Sequence, residues 1–131
     1  MLFRSGSEAI RRALREKRSG LAPCDFEAAG IDTYVGPVPG LDDFRVRPDL
    51  RDYDCRNNRL VQLCLEQDGF VKEVADARNR YGAGRIGLYL GTSTSGLQAT
   101  ELAYRRRDPN TGALPADYRY AETQNAYSLG A

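Results

Sequence analysis

The chain has 131 residues, with 19 basic against 18 acidic side chains, no histidine, and a formal net charge of +1. That length suits one ordinary domain, and so even a charge supplies no bulk field to draw in nucleic acid or a membrane surface. No stretch approaches the roughly 20 apolar residues of a membrane-spanning helix, and residues 1–20 hold no apolar signal core, so a cytoplasmic protein is expected.

Ser7 to Arg18 predicts the first helix, with Ala9, Ile10, Ala13 and Leu14 on one face and Gly20 as its stop. Leu21 is expected to fold back on the last turn. Arg11, Arg12, Arg15 and Arg18 form the opposite face, either a solvated surface or a patch for an acidic partner. Prolines 23, 37, 39 and 48 and glycines 30, 36 and 40 break any long element between residues 19 and 52. Thr33 to Val35 is a short strand candidate, at an edge because Pro37 follows.

Asp54 is the expected N-cap of a helix from Arg56 to Glu66. Leu60, Val61, Leu63, Cys64 and Leu65 leave that helix few polar positions, so it is predicted to be buried, with Cys64 a small core residue. Phe70, Val74, Ala77 and Tyr81 mark a second helical stretch from Gly69 to Tyr81. Gly69 either starts it or sits inside one longer, bent helix. Gly82 and Gly84 end it.

Arg85 to Leu90, RIGLYL, predicts a strand buried on both faces, as in a parallel sheet covered by helices. The turn Gly91 to Gly96, GTSTSG, lies at its carboxyl end, where open α/β sheets place ligands. Leu97 to Arg107 predicts a further helix, Asp108 to Gly112 a turn, residues 113–122 a loop, and Asn125 to Ala131 the opening of another helix.

The turn's GxxxxG spacing does not make a P-loop, because Leu97 and Gln98 stand where Lys and Ser/Thr are required. A serine elbow fails as well, since Ser95 stands where a glycine must follow Ser93 and the chain has no histidine base. Cys24, Cys55 and Cys64 lack CxxC spacing and read as reduced thiols rather than a zinc site or disulfide frame. No metal is expected. One convincing strand cannot make a sheet, and a buried strand needs neighbours for its backbone groups. The expected class is therefore α/β with an incomplete sheet.

The run YDCRNNRLVQLCLEQDGF from Tyr53, then RIGLYLGTSTSG, ELAYRRRDPNTGALPADYRY and ETQNAYSLGA, resembles the N-terminal part of a type II β-ketoacyl-(acyl carrier protein) synthase. The resemblance covers residues 7–131. It implies a partial thiolase-like fold, the outer part of the first half of an αβαβα arrangement. Residues 1–6, MLFRSG, fall outside it, and Met1 to Ser5 are expected to be extraneous.

The resemblance also implies an acyltransferase in fatty acid or polyketide-like synthesis. Its reaction is decarboxylative Claisen condensation of an acyl thioester with malonyl-carrier. Both substrates ride on phosphopantetheine of acyl carrier protein, the expected partner, and no further cofactor is implied. The family's catalytic cysteine and two histidines belong beyond Ala131, so no catalytic residue is assigned here and the fragment is expected to be inactive. One substrate-pocket position carries over: Thr94, fourth in the turn, where the family gates acyl chain length. The alternative role for Thr94 is to satisfy turn backbone groups. The intact protein is expected to be a homodimer or heterodimer. Two other readings stand beside this one, a non-catalytic chain-length-factor-like homologue and a short carrier-protein-binding protein. Alone, these 131 residues are expected to be loosely folded or aggregation-prone, with the flank of Arg85 to Leu90 as the sticking site.

Overall fold

A computed structural model describes residues 6–25 and 30–130. The expectation for Met1 to Ser5 lies outside the described residues. The first helix, α1 (Gly6–Arg15), forms where the apolar spacing predicts it. It stops before Gly20. Lys17 adopts the left-handed conformation (φ 52°), Arg18 N–H donates to Ala13 O at 2.8 Å, and Lys17 N–H donates to Leu14 O at 3.2 Å. Those two bonds are a Schellman end built on a lysine, in place of the predicted glycine. Ala13 is buried, whereas Leu14 and Leu21 are exposed, so the predicted pack-back of Leu21 is absent.

The sheet is a single antiparallel pair, β1 (Ala22–Pro23) with β2 (Tyr34–Val35), in the register Ala22 to Val35 and Pro23 to Tyr34. A 3-10 helix over Pro48–Tyr53 then leads into α2 (Arg56–Leu65). Cys55, not Asp54, occupies the N-cap, and no side chain caps it. Asp54 ends the preceding 3-10 helix instead, and its carboxylate accepts from Arg59 Nε at 2.5 Å and Nη2 at 3.0 Å. That bidentate pair is the stronger use of the carboxylate.

The expectation of a buried α2 is corrected: only Asn58 and Leu63 are buried. Cys64 is exposed and Cys55 is the buried thiol, reversing the predicted role of Cys64. The next helix, α3 (Phe70–Tyr81), is separate from α2. Asp68 (φ 53°) and Gly69 (φ 77°) are both left-handed, which turns the chain sharply between the two. Asp68 also reaches back, its Oδ2 accepting from Ser7 N–H at 2.8 Å at the start of α1.

The largest correction concerns residues 85–90. Ala83–Arg85 form a 3-10 turn, Ile86 is extended, and residues 86–90 have no ladder partner among the described residues. Leu88 is 67% and Tyr89 96% exposed, so this is not a strand buried on both faces. Then come α4 (Leu97–Arg105), the Asp108 turn, a π-helical turn over Tyr120–Gln124 and a 3-10 turn over Ala126–Gly130. In the Asp108 turn, Asp108 Oδ1 accepts from Asn110 and Thr111 N–H, both at 2.8 Å. The whole is a mixed, helix-rich arrangement with one very small sheet.

The described core is thin: Ala13, Leu41, Val46, Cys55, Leu63 and Ala103. The accessible surface is 10224 Å² for 14.6 kDa. A compact monomer of that mass exposes roughly 6,900 Å². The excess is visible along α3, where no residue is buried and Phe70, Val71, Val74 and Tyr81 are exposed, and along Ile86 to Leu90.

Candidate functional site

The turn Gly91 to Gly96 carries the position singled out by sequence. Its backbone is closed by Thr92: the Thr92 hydroxyl donates to Thr94 O at 2.6 Å and accepts from Thr94 N–H at 3.2 Å. The turn-satisfying role therefore falls to Thr92, two residues earlier than Thr94. Thr94 is exposed and lines a cavity of about 290 Å³ with Leu41, Asn57, Leu60, Ser95 and Leu97.

That cavity lies between the first turns of α2 and α4, and Gly96 explains how they come so close. Gly96 is the N-cap of α4 and is buried. A Cβ at Gly96 would overlap the carbonyl oxygen of Thr123 in the π-helical turn. The same oxygen accepts from the Cys55 thiol at 3.6 Å, beside the start of α2. The carbonyl bonded to Cys55 thus lies against Gly96 at the start of α4, and only a residue without a side chain fits there.

Thr100 fixes the opposite side. Its hydroxyl donates to Gln124 Oε1 at 2.6 Å and lies 2.9 Å from Tyr118 OH, which can donate to it. The back of α4 is thereby tied to the chain after the Asp108 turn. At the cavity edge Arg56 pairs with Asp42. The Asp54 carboxylate beside Arg59 holds that guanidinium's pKa above its ordinary value, so Arg59 stays charged and serves as a strut between α2 and the Asp42 carbonyl, 3.1 Å away.

Sequence reasoning reached Thr94 but missed Leu41, Asn57 and Leu60, which come from distant parts of the chain. Asn57 stands in the polar run Arg56-Asn57-Asn58-Arg59, which gives it no distinguishing signal in the sequence, and its Nδ2 is buried without a partner among the described residues. Leu41, Leu60 and Leu97 give the lining its apolar part, and Arg56, Asn57, Thr94, Ser95 and Gln98 its polar one. No group of His, Cys, Asp or Glu that could hold a metal ion occurs among the described residues. None of their helices is long and apolar enough to cross a membrane.

No family model, curated protein or solved structure matches the chain.

Proposed function

We propose that residues 7–131 are the N-terminal part of a type II β-ketoacyl-(acyl carrier protein) synthase. The observation that carries this reading is the uncovered apolar surface: Ile86 to Leu90, an exposed segment without a ladder partner among the described residues, following a helix, α3, with no buried residue. An apolar extended segment ending in a Gly/Ser/Thr turn is what a central strand looks like without its neighbours. Ordered before and after it are the helix and the DPNTG turn on which the resemblance rests.

In this reading the finer fold is thiolase-like, and Ile86 to Leu90 join a mixed sheet completed by later sequence. Thr94 then stands at the far end of the acyl pocket, where its hydroxyl makes the pocket more polar than an aliphatic side chain would. The chemistry is decarboxylative condensation of an acyl thioester with malonyl-carrier, by a cysteine at a helix start and two histidines. A helix N-terminus favours the thiolate, and positioned donors stabilise the charge that develops as CO₂ leaves. No residue of this chain takes part in that step. Its contribution is to shape the pocket and to hold the turn against α2 and α4. Acyl carrier protein is the proposed partner.

Sequencing the native locus beyond the Ala131 codon tests the reading. An in-frame cysteine motif within a few helical turns, followed by two histidines, is expected. An in-frame continuation in which serine or another residue replaces that cysteine supports the chain-length-factor alternative. A stop codon immediately after Ala131 overturns the proposal.

A further inference from the structure

A second cavity, of about 230 Å³, lies between the 3-10 helix at 48–53, α2 and the 3-10 turn at 126–130. Its walls are largely apolar, from Val46, Leu50, Val61 and Leu129, and the polar Arg47, Gln62 and Glu66 that also line it are already bonded to one another or to Asp49. Two polar residues among those walls stand out. Asn58 and Ser128 are each only 8% exposed, and both line the cavity. Asn58 Nδ2 donates to Tyr53 O at 2.8 Å and to Glu122 O at 3.3 Å, which fixes the amide and leaves its Oδ1 as an acceptor. That oxygen and the Ser128 hydroxyl have no hydrogen-bond partner among the described residues.

Buried polar atoms without partners are uncommon, because each one keeps its desolvation cost with no compensating bond. Here two of them belong to residues that line one cavity, and both oxygens are closed off from its open space. Oδ1 can only accept, whereas the Ser128 hydroxyl can donate or accept. A ligand that matches both carries an N–H or O–H for Asn58 and, where it has one, an acceptor for Ser128. The remaining surface asks for a short hydrocarbon body. Reaching the two oxygens requires the wall at 126–130 to yield, and that wall is one short 3-10 turn.

We propose that this cavity binds a small aliphatic molecule with a single hydrogen-bonding head, an amide or a hydroxyl. The site is separate from the one lined by Thr94 and does not depend on the condensing-enzyme reading. The test uses the full chain with hexanamide, 1-hexanol and n-heptane as probes, followed by hydrogen–deuterium exchange of the segments 46–53, 56–66 and 126–130. Saturable protection of those segments by hexanamide or 1-hexanol is expected, with n-heptane at least tenfold weaker. Ser128→Ala, which removes only the hydroxyl, is expected to weaken hexanamide binding about tenfold or more and to leave n-heptane unchanged. Protection by hexanamide but not 1-hexanol identifies the head as an amide, and the reverse identifies a hydroxyl. Equal protection by n-heptane, or none from any probe at millimolar concentration, overturns the proposal. Protection that Ser128→Ala and Val61→Phe both leave intact also overturns it, since Val61→Phe fills the cavity directly.

Discussion

Replacing Leu88 by lysine is expected to weaken self-association of the chain strongly. Ile86 to Leu90 are exposed and have no ladder partner among the described residues, and no charged residue interrupts residues 86–100. Native edges are usually blunted by lysine, proline or a bulge, and none is present there. A second copy carries the same segment, so two copies can pair through it. Leu88 is 67% exposed, and fully burying a leucine side chain is worth about 1.5–3 kcal/mol. Losing that contribution costs about 1–2 kcal/mol per copy, or roughly 2–4 kcal/mol for a symmetric pair. That corresponds to a roughly 30- to 700-fold weaker dimer, before any repulsion between the two lysines. Sedimentation velocity over a concentration series measures it. Leu14→Lys is the control, because Leu14 is 74% exposed but lies on α1. The reasoning is refuted if the parent chain stays monomeric throughout, or if Leu88→Lys associates as strongly as Leu14→Lys.

The thin core predicts a broad thermal transition by circular dichroism, and a sharp cooperative melt of soluble monomer would contradict it. Gly96→Ala should separate the starts of α2 and α4 at a cost of about 1–3 kcal/mol, the usual range for overpacking, and should speed amide exchange in 119–124. Gly91→Ala, where a Cβ meets open space, should not. Backbone N–H groups of Thr111 and Asn110 hold the Asp108 carboxyl below the ordinary aspartate pKa. The turn is therefore favoured above the unfolded-state pKa and loosens as pH falls through the depressed one, which carboxyl carbon shifts can follow. A thiol reagent should label Cys64 and Cys24 well before buried Cys55, and equal rates would mean that the Cys55 junction is open.

Helices were the legible part of this sequence. The spacings around Ile10, Leu63, Val74 and Ala103 locate α1 to α4 within a few residues. The Asp108 turn was equally plain, because Asp-Pro-Asn-Thr-Gly carries its own hydrogen-bonding groups. Burial was not legible. An apolar run such as RIGLYL states what a segment would bury against, not whether a neighbour is present, and here no ladder partner occurs among the described residues. Asp54 misled for a related reason: a cap and a bidentate arginine partner compete for the same carboxylate, and Arg59 is brought to it by the turn of α2. At the candidate site Thr94 could be placed by its turn, whereas Leu41, Asn57 and Leu60 reach it from distant parts of the chain, with Gly96 needed where the start of α4 meets Thr123 and Cys55.

The bond from Ser7 N–H to Asp68 Oδ2 joins residues 61 apart. On a ribosome adding about 5–20 residues per second, the donor is made some 3–12 seconds before its acceptor. Throughout that interval α1 has its arginines and its Schellman end but no cap at its start, and a ten-residue helix in water is marginal without outside support. Helix α1 therefore gains its cap only after the whole of α2 has been made, and its persistence in a nascent chain is set by how quickly the bend at Asp68 and Gly69 forms.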